Sequence, residues 1–223
     1  MKLQQTADNS YTLFSTKAQQ TYHSLEGAIM EAKHVYVTPA LTHFQNKKEL
    51  HILEIGFGTG LNTIITLLES QKTNKTVYYE TIEADPVPEE MYCKLNYPEI
   101  LPCNKQIFLE LHKALSDEIK IFSHFTFLKK HTKIEDYVPG QLFNIIYFDA
   151  FSPDAQPEMW TSSIFNKMYQ LLSPNGILLT YSAKGIVKKA LRDAGFQVKR
   201  LPGAGSKHHM LKAEKILPVN SPL

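Results

Sequence analysis

Between residues 50 and 194, short apolar runs alternate with segments of helical pattern, and this alternation restricts the possible folds more than any other feature. Short apolar runs bounded by turn signals are typical of buried strands. Strands separated by helices pair in parallel, with helices on both faces of the sheet. We therefore expect an α/β fold with a mostly parallel sheet. The predicted strands are Leu50–Ile55, Val77–Ile82, Phe122–Leu128, Phe143–Phe148 and Gly176–Tyr181.

The last part of the chain departs from this alternation. Phe196–Leu201 and His209–Lys215 are strand-like and are joined by a short glycine-containing segment, so they are expected to pair as an antiparallel hairpin. Five βα units followed by such a hairpin resemble the class I S-adenosylmethionine-dependent methyltransferase fold, which is Rossmann-like. The predicted helices are Gly60–Glu69, Glu89–Leu95, Ile107–Leu115, Pro157–Leu172 and Lys184–Ala194.

Residues 1–45 precede the regular pattern. Tyr11–Ser15 reads as a short strand, and Leu25–Val37 reads as a helix that begins after Ser24 and ends at Pro39. The sequence shows no repeat and no linker. We expect an N-terminal extension, residues 1–45, packed on one methyltransferase-like domain, residues 46–223.

Composition excludes several classes of protein. The chain has 223 residues, 43% of them hydrophobic, which excludes a disordered chain. Its apolar stretches are far shorter than the roughly 18–20 residues that a membrane span needs, and its start has no signal-peptide pattern. Cys93 and Cys103 lack metal-type spacing. We expect no membrane contact, no metal and a cytoplasmic location.

The formal net charge of +2 combines two opposite regions. Glu80–Glu118 holds nine acidic residues and three lysines, whereas Lys184–Lys215 holds nine Lys or Arg residues and two acidic ones. A basic C-terminal third is suited to nucleic acid. A solvated lysine-rich surface without a partner is the alternative.

A glycine loop, Glu54–Gly60, with the sequence E-I-G-F-G-T-G, lies between the first strand and the first helix of the pattern. Its G-x-G-x-G spacing differs from the dinucleotide fingerprint, and no Lys-Ser/Thr pair follows to make a P-loop. An acid two residues before these glycines is typical of S-adenosylmethionine sites, although a tight turn that binds nothing remains an alternative. The predicted cofactor contacts are Glu54, Gly56, Phe57, Gly58 and Gly60.

Glu83 follows the second strand, about 20 residues beyond the glycine loop. A carboxylate at this place accepts hydrogen bonds from both ribose hydroxyls, in NAD sites as well as in S-adenosylmethionine sites. Glu83 is therefore a predicted cofactor contact, with Asp85 as its competitor. A surface or helix-capping role is the alternative for Glu83.

Asp149 follows the fourth strand, where the carboxyl ends of strands form a ligand crevice. An alkyl ammonium must lose a proton before its nitrogen can attack a methyl group, and a carboxylate can orient the N–H and accept the proton. Asp149 is thus a candidate catalytic residue and also a predicted cofactor contact. Phe151 is a second candidate, packing on a base or on the sulfonium. The alternative for Asp149 is a structural role as a turn cap. Trp160, the only tryptophan, is expected to pack in the core rather than to contact substrate.

Taken together, these residues resemble the MnmC/MnmD-type tRNA methyltransferase family. The resemblance implies methyl transfer from S-adenosylmethionine to the aminomethyl nitrogen of 5-aminomethyl-(2-thio)uridine, at the wobble position in the tRNA anticodon arm. It also implies substrate contacts by Ser152, Pro153, Lys207 and His208. It rests on Tyr22-His23-Ser24, Gly27-Ala28, Glu31-Ala32, Glu54–Gly60, Phe148–Pro153, Pro157–Trp160, Gly195-Phe196, Pro202-Gly203 and Gly205–Lys207.

The chain departs from the family pattern at two places. His208 stands where the family commonly has arginine, and an imidazole is mostly neutral at pH 7. Leu128 is followed by Lys129-Lys130-His131, where many class I enzymes carry an acid that meets adenine. Bifunctional relatives carry a flavin-dependent oxidoreductase domain after this one, and we expect a stand-alone methyltransferase without it.

Three other functions remain open from the residues alone. A small-molecule or protein N-methyltransferase has the same fold. A nicotinamide-dependent oxidoreductase is disfavoured by the glycine spacing. A tRNA-binding module without catalysis is the third.

Overall fold

The computed structural model describes residues 1–206 and 208–216. The strands in this part of the chain are β1 (Lys2–Gln5), β2 (Tyr11–Ser15), β3 (Gln20–Thr21), β4 (Glu49–Ile55), β5 (Thr76–Glu83), β6 (Ile119–Phe122), β7 (Phe125–His131), β8 (Phe143–Phe148), β9 (Leu172–Thr180), β10 (Gln197–Pro202) and β11 (His209–Glu214). The α-helices are α1 (Ala28–Ala32), α2 (Thr38–His43), α3 (Leu61–Lys72), α4 (Glu89–Tyr92), α5 (Tyr97–Ile100), α6 (Lys105–Lys113), α7 (Ser162–Leu171) and α8 (Gly185–Asp193).

The central sheet has eight strands in the order β10-β11-β9-β8-β4-β5-β7-β6. Strands β9, β8, β4, β5 and β7 pair in parallel. Strands β10 and β11 form an antiparallel hairpin that joins the sheet along β9. The expected mostly parallel sheet with a C-terminal hairpin is confirmed.

Both faces of this sheet are buried. Neighbouring residues of β8 point to opposite sides: Tyr147 enters one apolar cluster and Ile146 the other. The first cluster also contains Leu13 and Val35, so part of segment 1–45 shares its core with the sheet. No helix in the ranges 1–206 and 208–216 is long and apolar enough to span a bilayer.

The predicted helix Leu25–Val37 is wrong at both ends: the helical segment begins at Ala28 and runs to His43. Helix α1 is followed by a wide π-helical turn, Lys33–Val37, and the helical path continues into α2. The Thr38 amide reaches five residues back, to the Lys33 carbonyl. Pro39 does not end the helical path: it follows the π-helical turn directly, at the start of α2.

Three further predictions about the sheet region are corrected. Phe122–Leu128 is not one strand, since β6 and β7 form an antiparallel pair there. The predicted helix Pro157–Leu172 breaks at Thr161, whose hydroxyl accepts the Ile164 amide at 3.3 Å and caps α7 after a short 3-10 turn. The predicted strand Gly176–Tyr181 starts earlier, since β9 begins at Leu172, and its register against β8 shifts between Leu172 and Ile177.

Candidate active site

A cleft of about 480 Å³ lies at the carboxyl edge of the parallel strands. Gly56 follows β4, Asp149 follows β8, and β4 and β8 are neighbours in the sheet although they are distant in the chain. The strand order reverses at this pair, and such a switch point is where open α/β sheets bind ligands. The Asp149 amide donates to the Ile55 carbonyl at 3.1 Å, which brings the two strand ends together.

The glycine loop turns sharply into α3. Gly56, Gly58 and Gly60 have φ of 90°, 51° and 75°, a region that L side chains rarely adopt. A Cβ on Gly56 would lie 3.0 Å from the Asp149 carbonyl oxygen, and a Cβ on Gly58 would lie 3.0 Å from the Tyr22 ring. Only glycine allows the loop backbone to pass this close to Asp149 and Tyr22, which both line the cleft.

The three glycine amides of the loop are used inside the protein. Gly56 donates to the Ile82 carbonyl at 3.0 Å and Gly60 to the Phe57 carbonyl at 2.8 Å. Gly58 donates to Glu83 Oε2 at 2.9 Å. The Gly58 amide is therefore paired with a side chain that also lines the cleft.

Glu83 lines the cleft, as predicted for a cofactor contact. Its Oε2 is held by Gly58, and its Oε1 accepts the Asp85 amide at 2.8 Å. Each carboxylate oxygen keeps a second lone pair for a hydroxyl donor. The competitor Asp85 lies at the mouth of the cleft, where it pairs with Lys17 at 2.8 Å, and both side chains are exposed.

Of the predicted cofactor contacts Phe57 and Glu54, the first lies in the cleft wall and the second is buried behind it. Phe57 lines the cleft, and its ring packs on His112 with the centroids 5.0 Å apart. Glu54 has no exposed surface and does not line the cleft. Its Oε2 accepts the Thr63 hydroxyl at 3.2 Å, so the structure places this carboxyl beneath the loop.

Burial, followed by the nearby Asp149 charge, raises the pKa of Glu54 from 4.5 to about 8. The folded protein therefore binds a proton that the unfolded chain releases between these two values. The free energy of unfolding should fall as pH rises from about 4.5 to about 8, by a few kcal/mol, since each pKa unit is worth about 1.4 kcal/mol. Glu54→Gln should flatten this slope.

Urea unfolding of the wild type and of Glu54→Gln at several pH values measures the slope. Glu90→Gln, at an exposed position, is the matched control and should keep the wild-type slope. Parallel slopes in all three proteins would show that Glu54 is ionised throughout this range.

Asp149 is half-buried and lines the cleft. Its Oδ1 accepts the Tyr36 hydroxyl at 2.7 Å, and its Oδ2 accepts the Asn62 amide at 2.8 Å. Burial and then the Asp149 charge raise the pKa of Tyr36 well above its usual value, so this hydroxyl keeps its proton and remains a donor. Asp149 is thus held in one orientation by two donors.

A second, smaller cavity of about 190 Å³ adjoins the cleft. It shares Asp149 and four further residues with the larger cavity. Glu31 lines only the smaller one. The described residues that line the smaller cavity are Gln20, Thr21, Tyr22, His23, Ser24, Glu31, Asp149 and Tyr181.

Phe151 lines the larger cleft and packs edge-on against Tyr22, with ring centroids 5.0 Å apart. The neighbouring Ser152 donates its amide to Gln20 Oε1 at 3.1 Å, and Pro153 is buried. Ser152 and Pro153 line neither cavity. Trp160 belongs to the core, and its indole N–H donates to the Phe151 carbonyl at 2.8 Å.

The two predicted substrate contacts near the C-terminus lie apart from these cavities or outside the described residues. His208 is exposed beside the turn between β10 and β11 and lines neither cavity. Lys207 lies outside the described residues. The turn itself contacts the N-terminal segment, where the Ser206 amide donates to Glu26 Oε2 at 2.7 Å.

Besides Tyr22 and His23, which line both cavities, the structure adds five residues that were not predicted as site residues. Asn62 is the second residue of the helix after the glycine loop, and Tyr181 follows β9 at the carboxyl edge, so position in the pattern could have indicated both. Tyr36, Gln20 and Glu31 come from segment 1–45, and they reach the site only through tertiary packing. No periodicity signal in that segment points to them.

The cleft fits S-adenosylmethionine. Its volume lies within the roughly 300–1,000 Å³ of ligand pockets. Glycines bring the loop backbone against two residues of the cleft wall, Asp149 and Tyr22, and the carboxylates of Glu83 and Asp149 suit a cofactor with hydroxyls and positive charge. When bound, this cofactor supplies a methyl group on a sulfonium. The described residues hold no group of three or more His, Cys, Asp or Glu that could bind a metal.

Comparison with known proteins indicates the family of the chain. The family model described as S-adenosyl-L-methionine-dependent methyltransferase matches residues 104–216. The chain is 26% identical over 221 residues to the tRNA 5-methylaminomethyl-2-thiouridine biosynthesis bifunctional protein MnmC of Cupriavidus metallidurans, with 92% of this chain and 33% of that protein covered. It is 28% identical over 237 residues to MnmC of Legionella pneumophila, with 90% and 34% covered. The chain therefore spans about a third of the length of these relatives.

Solved structures show the same fold. MNMC2 from Aquifex aeolicus matches with a TM-score of 0.77 and 23% identity, over 100% of this chain and 72% of that one. Spermidine synthase from Thermotoga maritima matches with a TM-score of 0.56 and 14% identity, over 96% and 72%. Since the family model matches half of the residues, the chain belongs to the S-adenosyl-L-methionine-dependent methyltransferases.

Proposed function

We propose that this enzyme transfers a methyl group from S-adenosylmethionine to the aminomethyl nitrogen of 5-aminomethyl-(2-thio)uridine at the tRNA wobble position. The observation that carries this proposal is the meeting of two cavities at Asp149. The larger one has the size of a cofactor site, and the smaller one adds Glu31 to the Asp149 carboxylate. A primary ammonium group fits a small cavity lined by two carboxylates. The names of the MnmC relatives support the choice of tRNA.

In this proposal Asp149 prepares the nitrogen for attack. The substrate ammonium donates an N–H to the Asp149 carboxylate, which orients the nitrogen toward the larger cleft and accepts its proton. Tyr36 and Asn62 keep the carboxylate in place through their 2.7 and 2.8 Å hydrogen bonds. Tyr22 and Phe151 offer ring surfaces on which the uracil base can stack. Glu83, Gly56, Phe57, Gly58 and Gly60 hold the cofactor.

The anticodon arm is proposed to lie along the N-terminal segment, residues 1–45, and the β10–β11 turn of domain 46–223. Lys199 and Arg200 are exposed on the edge strand β10 and can contact phosphates. The turn reaches Glu26, close in sequence to Ser24 in the wall of the smaller cavity. Lys207 and His208 remain proposed substrate contacts. Since the proposed substrate is tRNA, the reaction takes place in the cytoplasm.

Mass analysis of tRNA nucleosides tests the function. The protein and S-adenosylmethionine are incubated with tRNA that carries the aminomethyl uridine and lacks only this methyl group. We expect the aminomethyl nucleoside to be replaced by its methylaminomethyl form. The same tRNA without the cofactor is the control. Methylation of small amines or of proteins, with this tRNA left unchanged, would favour the small-molecule or protein N-methyltransferase function.

A further inference from the structure

The polar side chains beneath the glycine loop include a carboxyl that the proposed reaction does not use. We propose that Glu54 is a positioning residue: as a neutral carboxylic acid it donates a hydrogen bond to Asn62, and Asn62 in turn orients the Asp149 carboxylate. The proton stays on Glu54 during the reaction, so Glu54 acts only through Asn62. This inference rests on the proposed function, because it explains how the group assigned to the substrate nitrogen is held in place.

The orientation of the Asn62 amide is set by Asp149. Asn62 Nδ2 donates to Asp149 Oδ2 at 2.8 Å, and a carboxylate accepts hydrogen bonds but donates none. The Asn62 oxygen, Oδ1, therefore lies on the other side of the amide group. This oxygen is buried, and within residues 1–206 and 208–216 no donor reaches it. A buried carbonyl oxygen without a donor is costly, so a donor is expected at this place.

The Glu54 carboxyl interacts with Asn62 and has a similar deficit. Its Oε2 accepts the hydroxyl of Thr63, the residue next to Asn62 on α3, at 3.2 Å. Its Oε1 is buried, and the described part of the chain offers it no hydrogen-bond partner. Burial and then the Asp149 charge have the largest effects on the pKa of Glu54, and hydrogen bonding with Asn62 comes next. The two unpaired oxygens therefore belong to side chains that interact with each other.

A proton on Glu54 Oε1 satisfies both oxygens. A neutral carboxyl has one carbonyl oxygen, which accepts, and one hydroxyl, which donates. Because Oε2 accepts the Thr63 hydroxyl, Oε1 is left as the hydroxyl, and it donates to Asn62 Oδ1. Burial, followed by the Asp149 charge, raises the pKa of Glu54 to about 8, so this carboxyl is neutral at pH 7.

Ionisation of Glu54 would disturb this arrangement. An ionised Oε1 repels Asn62 Oδ1 and competes with Asp149 for the N–H groups of Asn62. The titratable side chains that act on Glu54 or respond to its charge are Asp149, Tyr79 on β5 and Tyr147 on β8. Burial raises the pKa of both tyrosines above its usual value, so neither loses its proton below pH 9. The hold of Asn62 on Asp149 should therefore weaken as Glu54 ionises.

The test compares single-turnover methyl transfer to aminomethyl tRNA by the wild type and by Glu54→Gln from pH 6.5 to pH 9. The glutamine amide donates to Asn62 and accepts from Thr63 at every pH, as a neutral Glu54 does. At pH 7 the variant should keep its rate within about threefold of wild type. Between pH 7 and pH 9 the wild-type rate should fall roughly five- to tenfold relative to the variant, as expected for loss of one hydrogen bond to a charged group.

Three further variants show whether the effect passes through Asn62. Glu90→Gln, at an exposed position of α4, is the matched control and should keep the wild-type pH profile. In an Asn62→Ala background, Glu54→Gln should no longer change the profile, since the link to Asp149 is missing. Tyr79→Phe removes another hydroxyl that interacts with Glu54 and should keep the wild-type profile. A pH step that is lost in Tyr79→Phe and kept in Asn62→Ala would overturn the proposal.

A readout without tRNA separates this inference from the proposed function. The side-chain amide signals of Asn62, identified by their absence in Asn62→Ala, are followed by heteronuclear NMR. They should shift with a midpoint near pH 8 in the wild type and stay constant in Glu54→Gln. If tRNA is left unmethylated but this titration is observed, the tRNA function fails and the link from Glu54 to Asn62 stands. Asn62 signals that do not respond to pH, or equal pH profiles of the wild type and Glu54→Gln, would overturn the role of Glu54.

Discussion

Asp149→Ala should lower the kcat of methyl transfer by about 10²–10⁴-fold, the range associated with loss of a positioned general base. The variant removes the group that orients the substrate nitrogen and accepts its proton. Cofactor affinity should stay within about threefold of wild type, because the glycine loop and Glu83 keep their contacts. Single-turnover kinetics with aminomethyl tRNA and calorimetric titration with S-adenosylmethionine measure the two effects.

Two further variants define what Asp149 does. Asp149→Asn keeps an acceptor oxygen but takes no proton at neutral pH, so near-normal turnover in this variant would make Asp149 an orienting group only. Asp154→Ala, in the same segment, is the control: Asp154 is exposed, pairs with Lys184 and lines neither cavity. Turnover of Asp149→Ala at the wild-type rate would remove this carboxylate from the mechanism.

Gly56→Ala should weaken cofactor binding by about 100-fold and lower the kcat as well. The new Cβ would lie 3.0 Å from the Asp149 carbonyl oxygen, on a backbone with φ of 90°. Strain of this kind costs about 1–3 kcal/mol, and relief of the clash must move either the loop or Asp149. The Kd for S-adenosylmethionine and the thermal midpoint measure the effect.

Gly140→Ala is the matched control for Gly56→Ala. A Cβ on Gly140 would have no heavy atom within 4 Å, and its φ lies outside the left-handed region. This variant should bind the cofactor as the wild type does. Equal affinities in the two alanine variants would show that the cleft does not depend on the close approach of Gly56 to Asp149.

The parallel sheet could be predicted because its signals are local. Runs such as Phe143–Phe148 are apolar on both faces, and the glycine loop marks the turn from β4 to α3. The hairpin followed from the short connection between its strands. Errors arose where a local signal competes with tertiary packing. Pro39 reads as a helix end, yet the helical path runs from the π-helical turn through Pro39 into α2.

The site could be predicted only in part, for the same reason. Asp149 and Glu83 follow strands, so the topology brings them to the cleft. Glu54 also fits a motif, but the motif does not tell whether a carboxyl faces the cleft or lies under the loop. Tyr36 donates to Asp149 from 113 positions earlier in the chain, and no local pattern encodes such a pair.

The wide helical turn Lys33–Val37 has a consequence for protein engineering. Tyr36 lies within this turn, so the hydrogen-bonding register of the turn sets where its hydroxyl meets Asp149. A chimera in which the turn Lys33–Val37 is replaced by a regular α-helical turn would rotate the Tyr36 side chain away from the Asp149 carboxylate. A chimera between relatives must therefore keep the wide turn. Without it, Asp149 loses the hydrogen bond from Tyr36 that holds its carboxylate in place.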